Sequence, residues 1–156
     1  MTHEKYMKLA VRQAEKAGQK GEVPIGATLV AENGEVLSSA YNMTITRSDP
    51  SAHAEILAMR KASNKLKNYR LLNTILYVTI EPCVMCMGAV IHARIKRVVF
   101  GAYDPKGGAA GSLYNLAEDG RLNHRASIIS GICEEECRSL IQAFFRKRRE
   151  QNQWPI

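Results

Sequence analysis

Two thiols three residues apart, Cys83 and Cys86, open an apolar run that continues through Met87-Gly88-Ala89-Val90-Ile91. At the start of a helix this spacing puts both sulfurs on one face, within reach of a single metal ion. Pro82 suits the first helical position, where its missing N–H costs nothing, and Glu81 before it reads as a weak cap. The partial positive charge of a helix N-terminus favours thiolate over thiol, the form that ligates. Pro-Cys-x-x-Cys is thus half of a tetrahedral zinc site, although a reduced redox pair or two core cysteines share the spacing.

A candidate third ligand lies upstream in His53-Ala54-Glu55. That segment also reads as a helix start: Asp49 as N-cap, Pro50 as first helical residue, then Ala54, Leu57, Ala58 and Ala62 as an apolar stripe. A histidine beside a glutamate is ordinarily a solvated pair, and the cysteines change that reading. One imidazole and two thiolates leave a tetrahedral zinc a fourth position for water, the mark of a catalytic site. His-x-Glu upstream of Pro-Cys-x-x-Cys resembles the signature of zinc-dependent nucleobase deaminases, in which the glutamate carries protons and is not a ligand. Residues two apart do not share a helical face, so His53 and Glu55 are expected in the first turn, at the mouth of the site.

The 156 residues, 46% hydrophobic and 24% charged, suit one folded domain over 1–156 and exclude a disordered chain. No apolar run reaches membrane-spanning length, and Met1-Thr2-His3-Glu4 lacks the basic and apolar regions of a leader, so a cytoplasmic protein without membrane contact is expected. Four cysteines in such a chain point to reduced or metal-bound thiols. From Arg138 onward five basic residues (Arg138, Arg146, Lys147, Arg148, Arg149) stand against Glu150, a net +4 of the chain's +7. A polyanionic partner fits this concentration, and so does a solvated helix end complementing its dipole.

Along the chain, Tyr6, Leu9, Ala10, Gln13, Ala14 and Ala17 have helical spacing, ending at Gly18 to Gly21. Ile25 to Val30 and Val36 to Tyr41 read as antiparallel strands joined by a tight turn at Asn33-Gly34. A polar connection then runs to His53, and Asn42 in it is a candidate ligand contact. Leu76 to Ile80 and Arg97 to Phe100 flank the cysteine helix, a strand-helix-strand unit that implies a parallel crossover. Residues 102–125 read as a long functional loop, too irregular for core. Ser127 to Ile132 is a last strand, and a basic C-terminal helix starts near residue 134, with Leu140, Ile141, Phe144 and Phe145 on its apolar side. Cys133 and Cys137 read as a helix-start thiol and a buried one.

The chain resembles the bacterial tRNA-specific adenosine deaminases of the cytidine deaminase superfamily. The residues that carry the likeness are Glu22 to Ala27, Asn42, Ala52 to Glu55, Leu76 to Cys86, Asp104 to Gly108, Asn123-His124-Arg125 and Phe144-Phe145-Arg146. The resemblance implies a three-layer α/β/α fold around a central five-stranded mixed sheet, one Zn2+ per subunit, a homodimer, and conversion of adenosine to inosine at the wobble position of a tRNA anticodon stem-loop. It implies His53, Cys83 and Cys86 as metal ligands and Glu55 as proton carrier. Asn42, Ala54, Lys106, Asn123, Phe145 and Arg149 are the expected substrate contacts, with one of the two phenylalanines in the core. Two rival readings use the same centre: a deaminase of a free base or nucleotide (cytosine, guanine or deoxycytidylate), and a structural zinc module completed by Cys133 or Cys137.

Overall fold

Alternation through the middle of the central strands decides the layering, and at their ends the register partners Ile80 and Ala102 both join the cluster of Ile75 and Tyr77. The computed structural model describes residues 2–151. In β3 (Thr74–Ile80) all seven residues are buried: Leu76 and Val78 face one hydrophobic cluster, Ile75 and Tyr77 the other. Strand β4 (Arg97–Ala102) repeats the pattern, with Val98 and Phe100 opposed to Val99. A strand buried on both faces needs a layer of helices on each side.

Those helices are α2 (Ala54–Leu66) and α3 (Val84–Ala93) on one face, α1 (His3–Gln19) and α4 (Glu134–Glu150) on the other. Strands β1 (Gly26–Ala31), β2 (Val36–Tyr41) and β5 (Ser127–Ile129) complete a sheet of order β2-β1-β3-β4-β5. The β1 pairings are antiparallel, while β3, β4 and β5 run parallel. The fold is therefore the expected α/β three-layer arrangement with a mixed five-stranded sheet. Gly34, at φ +93°, makes the turn between β1 and β2, its N–H donating to the Ala31 carbonyl at 2.8 Å.

Four local expectations are corrected. Helix α2 starts at Ala54 with His53 as N-cap, and Asp49 does not cap it. The Asp49 carboxylate instead accepts the Ser51 N–H (2.9 Å) and hydroxyl (2.7 Å), so its short side chain closes a turn two residues on. Helix α3 starts at Val84 with Cys83 as N-cap, which leaves Pro82 outside and Glu81 facing a different set of donors. The 102–125 segment contributes Ala109, Ala110 and Ala117 to the core and holds a short 3-10 turn, Leu116–Glu118. In α4 only Cys137 is fully buried. Phe144 and Phe145 stack edge-to-face at 5.5 Å, half-buried, and neither enters the core.

Gly26 is where β1 meets α1 most closely. A Cβ there would lie 2.0 Å from the Ala10 carbonyl oxygen and 2.5 Å from the Ala14 nitrogen, both helix backbone. Gly26→Ala is expected to destabilise the fold by about 1–3 kcal/mol through overpacking, read as a lower urea midpoint.

Candidate metal centre and adjoining cleft

Helices α2 and α3 follow β2 and β3 and start at the same edge of the sheet, so their N-caps meet. His53 and Cys83 both have extended backbone (ψ 151° and 178°), and neither side chain caps its own helix. The side chains turn to each other instead. His53 Nδ1 lies 3.6 Å from Cys83 Sγ and 3.5 Å from Cys86 Sγ. A tetrahedral zinc with ordinary Zn–N and Zn–S bonds requires an N···S separation of about 3.6 Å. The donor set fits zinc in chemistry and spacing. Among the described residues these three form the one His/Cys/Asp/Glu group close enough to share an ion.

The electrostatics match. Cys83 is pulled down to about 4, first by the hydrogen bond from Cys86, with His53 adding to it. The same bond and burial hold the Cys86 thiol above its ordinary range. Cys83 raises His53, since a sulfur carrying negative charge favours imidazolium. Electron-rich sulfur that attracts a proton here attracts a divalent cation in the same way, and metal binding releases those protons. Glu55, 4% exposed, interacts with Cys86 and His53, and burial raises its carboxyl pKa. Cys133 and Cys137 lie on the other face of the sheet, in the α1/α4 cluster, so neither can complete a structural zinc site.

A cleft of about 1010 Å³ opens between α4, the loop after β4 and the sheet; none of His53, Glu55, Cys83 or Cys86 lines it, and Ile80, three residues before Cys83, links it to the metal ligands along the chain. Its floor is apolar (Val23, Ile25, Ile80, Ala102, Ile141), and Lys106, Phe145, Arg146 and Arg149 stand on its walls. Lys106 is thus brought to the same cleft as Phe145 and Arg149, which lie one turn apart on α4. Asn42 is 6% exposed, and its N–H donates to the carbonyl of Ile25, a cleft residue (3.1 Å). Ala54 is buried as the first residue of α2. Asn123 is not brought to this edge. It is exposed, and the adjacent His124 bonds the Ile95 carbonyl at the opposite end of β4.

Sequence reasoning missed the tertiary partners of three residues. Glu22, 1% exposed, accepts the N–H groups of Ile45 (3.1 Å) and Thr46 (2.6 Å), fixing the loop that leads to His53. Glu81 does the same for the loop after β4. Arg148 lies 5.0 Å from the Phe144 ring centroid and donates to the Gly21 carbonyl at 2.9 Å. The one sequence signal for the glutamates is weak: an acid flanked by apolar residues just before a proline, in Glu22-Val23-Pro24 and Glu81-Pro82.

A three-layer α/β/α fold with His-Cys-Cys and a buried glutamate at two facing helix starts defines the class of zinc-dependent deaminases. The sequence profile described as the cytidine and deoxycytidylate deaminase zinc-binding region matches residues 1–102, and the chain belongs to that family. It is 49% identical to a tRNA-specific adenosine deaminase of Haemophilus influenzae over 95% of this chain and 86% of that protein. A protein of the same name from Bacillus subtilis is 51% identical over 94% and 91%. A solved structure from studies of A-to-I editing by tRNA:A34 deaminases at the wobble position of transfer RNA superposes with a TM-score of 0.84 at 42% identity, covering 87% of this chain and 98% of that one.

Replacing His53, Cys83 or Cys86 by alanine is expected to abolish stoichiometric zinc, because each supplies one of three protein ligands. Metal analysis of the purified variants checks this, and full zinc in any of them excludes that residue as a ligand. Arg148→Ala is expected to cost about 1–2 kcal/mol of stability, from one cation–π contact and one hydrogen bond, read as a lower thermal midpoint.

Proposed function

We propose that this chain deaminates adenosine to inosine at the wobble position of a tRNA anticodon, with water consumed and ammonia released. The observation that carries the reading is a His-Cys-Cys centre together with a cleft that the chain reaches at Ile80, three residues before Cys83, and whose apolar floor is ringed by Lys106, Arg146, Arg149 and the Phe145 ring. A free base needs no such surface, whereas a nucleotide splayed from a loop needs aromatic stacking and phosphate contacts beside the centre. The relatives of about 50% identity support the same substrate.

His53, Cys83 and Cys86 would hold the zinc, which would supply an acidified water as nucleophile. Glu55 would take a proton from the attacking water and deliver it to N1 of adenine as the C6–O bond forms, then take the second proton from the new C6 hydroxyl and give it to the amine as the C6–N bond breaks and ammonia leaves. Its burial suits this role, since a carboxyl pKa raised from its usual value accepts and returns a proton more evenly. The Asn42 side-chain amide makes no hydrogen bond to another described residue and is free to orient the nucleoside. Ala54, small and first in α2, leaves room for the base beside the unpaired N–H groups of that helix start. Phe145 stacks on a flanking base, while Lys106 and Arg149 contact phosphates. Asn123, at the other end of the sheet, stays outside this surface within one chain.

A homodimer fits the exposed apolar side chains next to the centre. Val84 and Met85 on α3 are 49% and 39% exposed, and Leu113 and Tyr114 are 55% and 57%. They adjoin one another because Gly108, whose carbonyl takes the Leu113 N–H, bridges to Cys83. A contiguous apolar patch of this kind favours pairing with a second copy. No helix is long and apolar enough to cross a membrane among the described residues, and a tRNA substrate assigns the work to the cytoplasm.

Incubating the zinc-loaded protein with total tRNA and, separately, with free adenine, guanine, cytosine and their nucleosides tests the substrate: inosine in tRNA is expected, and turnover of a free base alone overturns the reading. Glu55→Ala is expected to keep zinc and tRNA binding while the single-turnover rate falls at least ~100-fold. Arg146→Ala with Arg149→Ala is expected to weaken tRNA binding and to flatten its log–log salt dependence by roughly one unit for each phosphate no longer neutralised.

A further inference from the structure

One buried side chain ties the loop after β4 to the metal centre. Glu81 is 3% exposed and follows the last residue of β3, two positions before the ligand Cys83. Its Oε1 accepts the Asp104 N–H at 3.0 Å and the Ser112 hydroxyl, and its Oε2 accepts the N–H groups of Ala110 (3.0 Å) and Ser112 (2.9 Å). Gly108 presses on the carboxyl so closely that a Cβ would fall 2.2 Å from Cδ. The Ala109 N–H donates to the Pro82 carbonyl at 2.8 Å, and Cys83 pairs with Gly108 as an isolated bridge. The order then passes outward. Asp104, held by its own N–H, accepts the N–H groups of Lys106 (3.1 Å) and Gly107 (3.3 Å) on Oδ1.

A carboxylate is a costly group to bury, and an apolar side chain would fill this volume more cheaply. What the carboxylate gives is direction: three points of an irregular segment are fixed at once relative to Pro82 and Cys83. One of those points carries the turn that sets Lys106 on the cleft wall.

We infer that Glu81 is a positioning residue for RNA recognition, holding the Asp104–Gly107 turn so that Lys106 meets an RNA phosphate at a fixed distance from the metal centre. The inference rests on the tRNA reading above and deepens it. Glu81 touches neither the base nor the metal; it acts through Asp104.

Glu81→Gln tests this because it keeps the shape and changes one acceptor into a donor. The amide oxygen can take the place of Oε2 and keep Ala110 and Ser112. The NH2 group can donate to the Ser112 hydroxyl, but it faces the Asp104 N–H, donor against donor. The Asp104 end of the loop is thereby released selectively. With the zinc-loaded, full-length variant on tRNA, zinc content and kcat are expected to stay near the parent values. KM should rise about tenfold, the loss of one hydrogen bond to a charged group, and the salt dependence should flatten by roughly one unit, as in Lys106→Ala.

The double variant Glu81→Gln/Lys106→Ala is expected to bind tRNA no more than about twofold more weakly than Lys106→Ala alone, since both remove the same contact. Multiplying effects, an unchanged KM, or a fall in kcat and zinc at constant KM would each overturn the inference. If Glu81→Gln fails to fold, Ser112→Ala removes only the hydroxyl bond to the same carboxyl, and it is expected to raise KM about threefold, again without multiplying the effect of Lys106→Ala. An unchanged KM there overturns the inference equally. A parent protein that leaves tRNA without inosine fails the functional reading itself, a result seen before any variant is compared.

Discussion

The meeting of two helix N-termini is the constraint on which this structure turns. His53 and Cys83 each stand where a capping side chain would ordinarily satisfy its own helix, and each points across the gap instead. Uncapped N–H groups and two helix dipoles aimed at one point make that point electropositive, which stabilises sulfur in its anionic form. The sheet makes the meeting possible. Because β1 lies between β2 and β3, the chain leaving β2 and the chain leaving β3 emerge at one edge. Helices α2 and α3 then return over the same face.

Around this centre the irregular segments are held by buried acids. Glu22 ties the Ile45–Thr46 backbone, upstream of His53, and Glu81 ties Asp104, Ala110 and Ser112, downstream of the cysteines. Each glutamate gives a loop partners that a strand would otherwise find in a ladder, so buried backbone donors are paired without regular structure. A single carboxylate accepting several N–H groups orders a loop more specifically than apolar contact does. The loops that flank the site can therefore be long and still fixed.

The basic helix α4 divides its charges between two tasks. Arg148 is spent on the fold, against Phe144 and the Gly21 carbonyl. Arg146 and Arg149 stand on the cleft with Phe145 and Lys106. Consecutive residues of a helix diverge by about 100°, so a run of four cations cannot serve one surface. The same geometry explains why neither phenylalanine reaches the core: α4 is a marginal layer anchored by Cys137, and its last turns lie at the rim of the cleft.

Much of this was legible in the residues. The β-rich runs Leu76 to Ile80 and Arg97 to Phe100, the turn at Gly34 and the helical spacing of residues 6–17 determined the elements, because backbone propensity and periodicity are local. The spacing of Cys83 and Cys86 left a metal, a redox pair and two core thiols open, and the family likeness of His53-Ala54-Glu55 decided for the metal and supplied the third ligand. Both helix starts were placed too early, at Asp49 and at Pro82, because the groups that cap a helix also close a turn or precede a cap. Tertiary structure alone decided the partners of Glu22, Glu81 and Arg148, and which cations of α4 face the cleft. Those outcomes depend on hydrogen-bond partners 20 or more positions away in sequence, and no local pattern encodes where such partners will be brought.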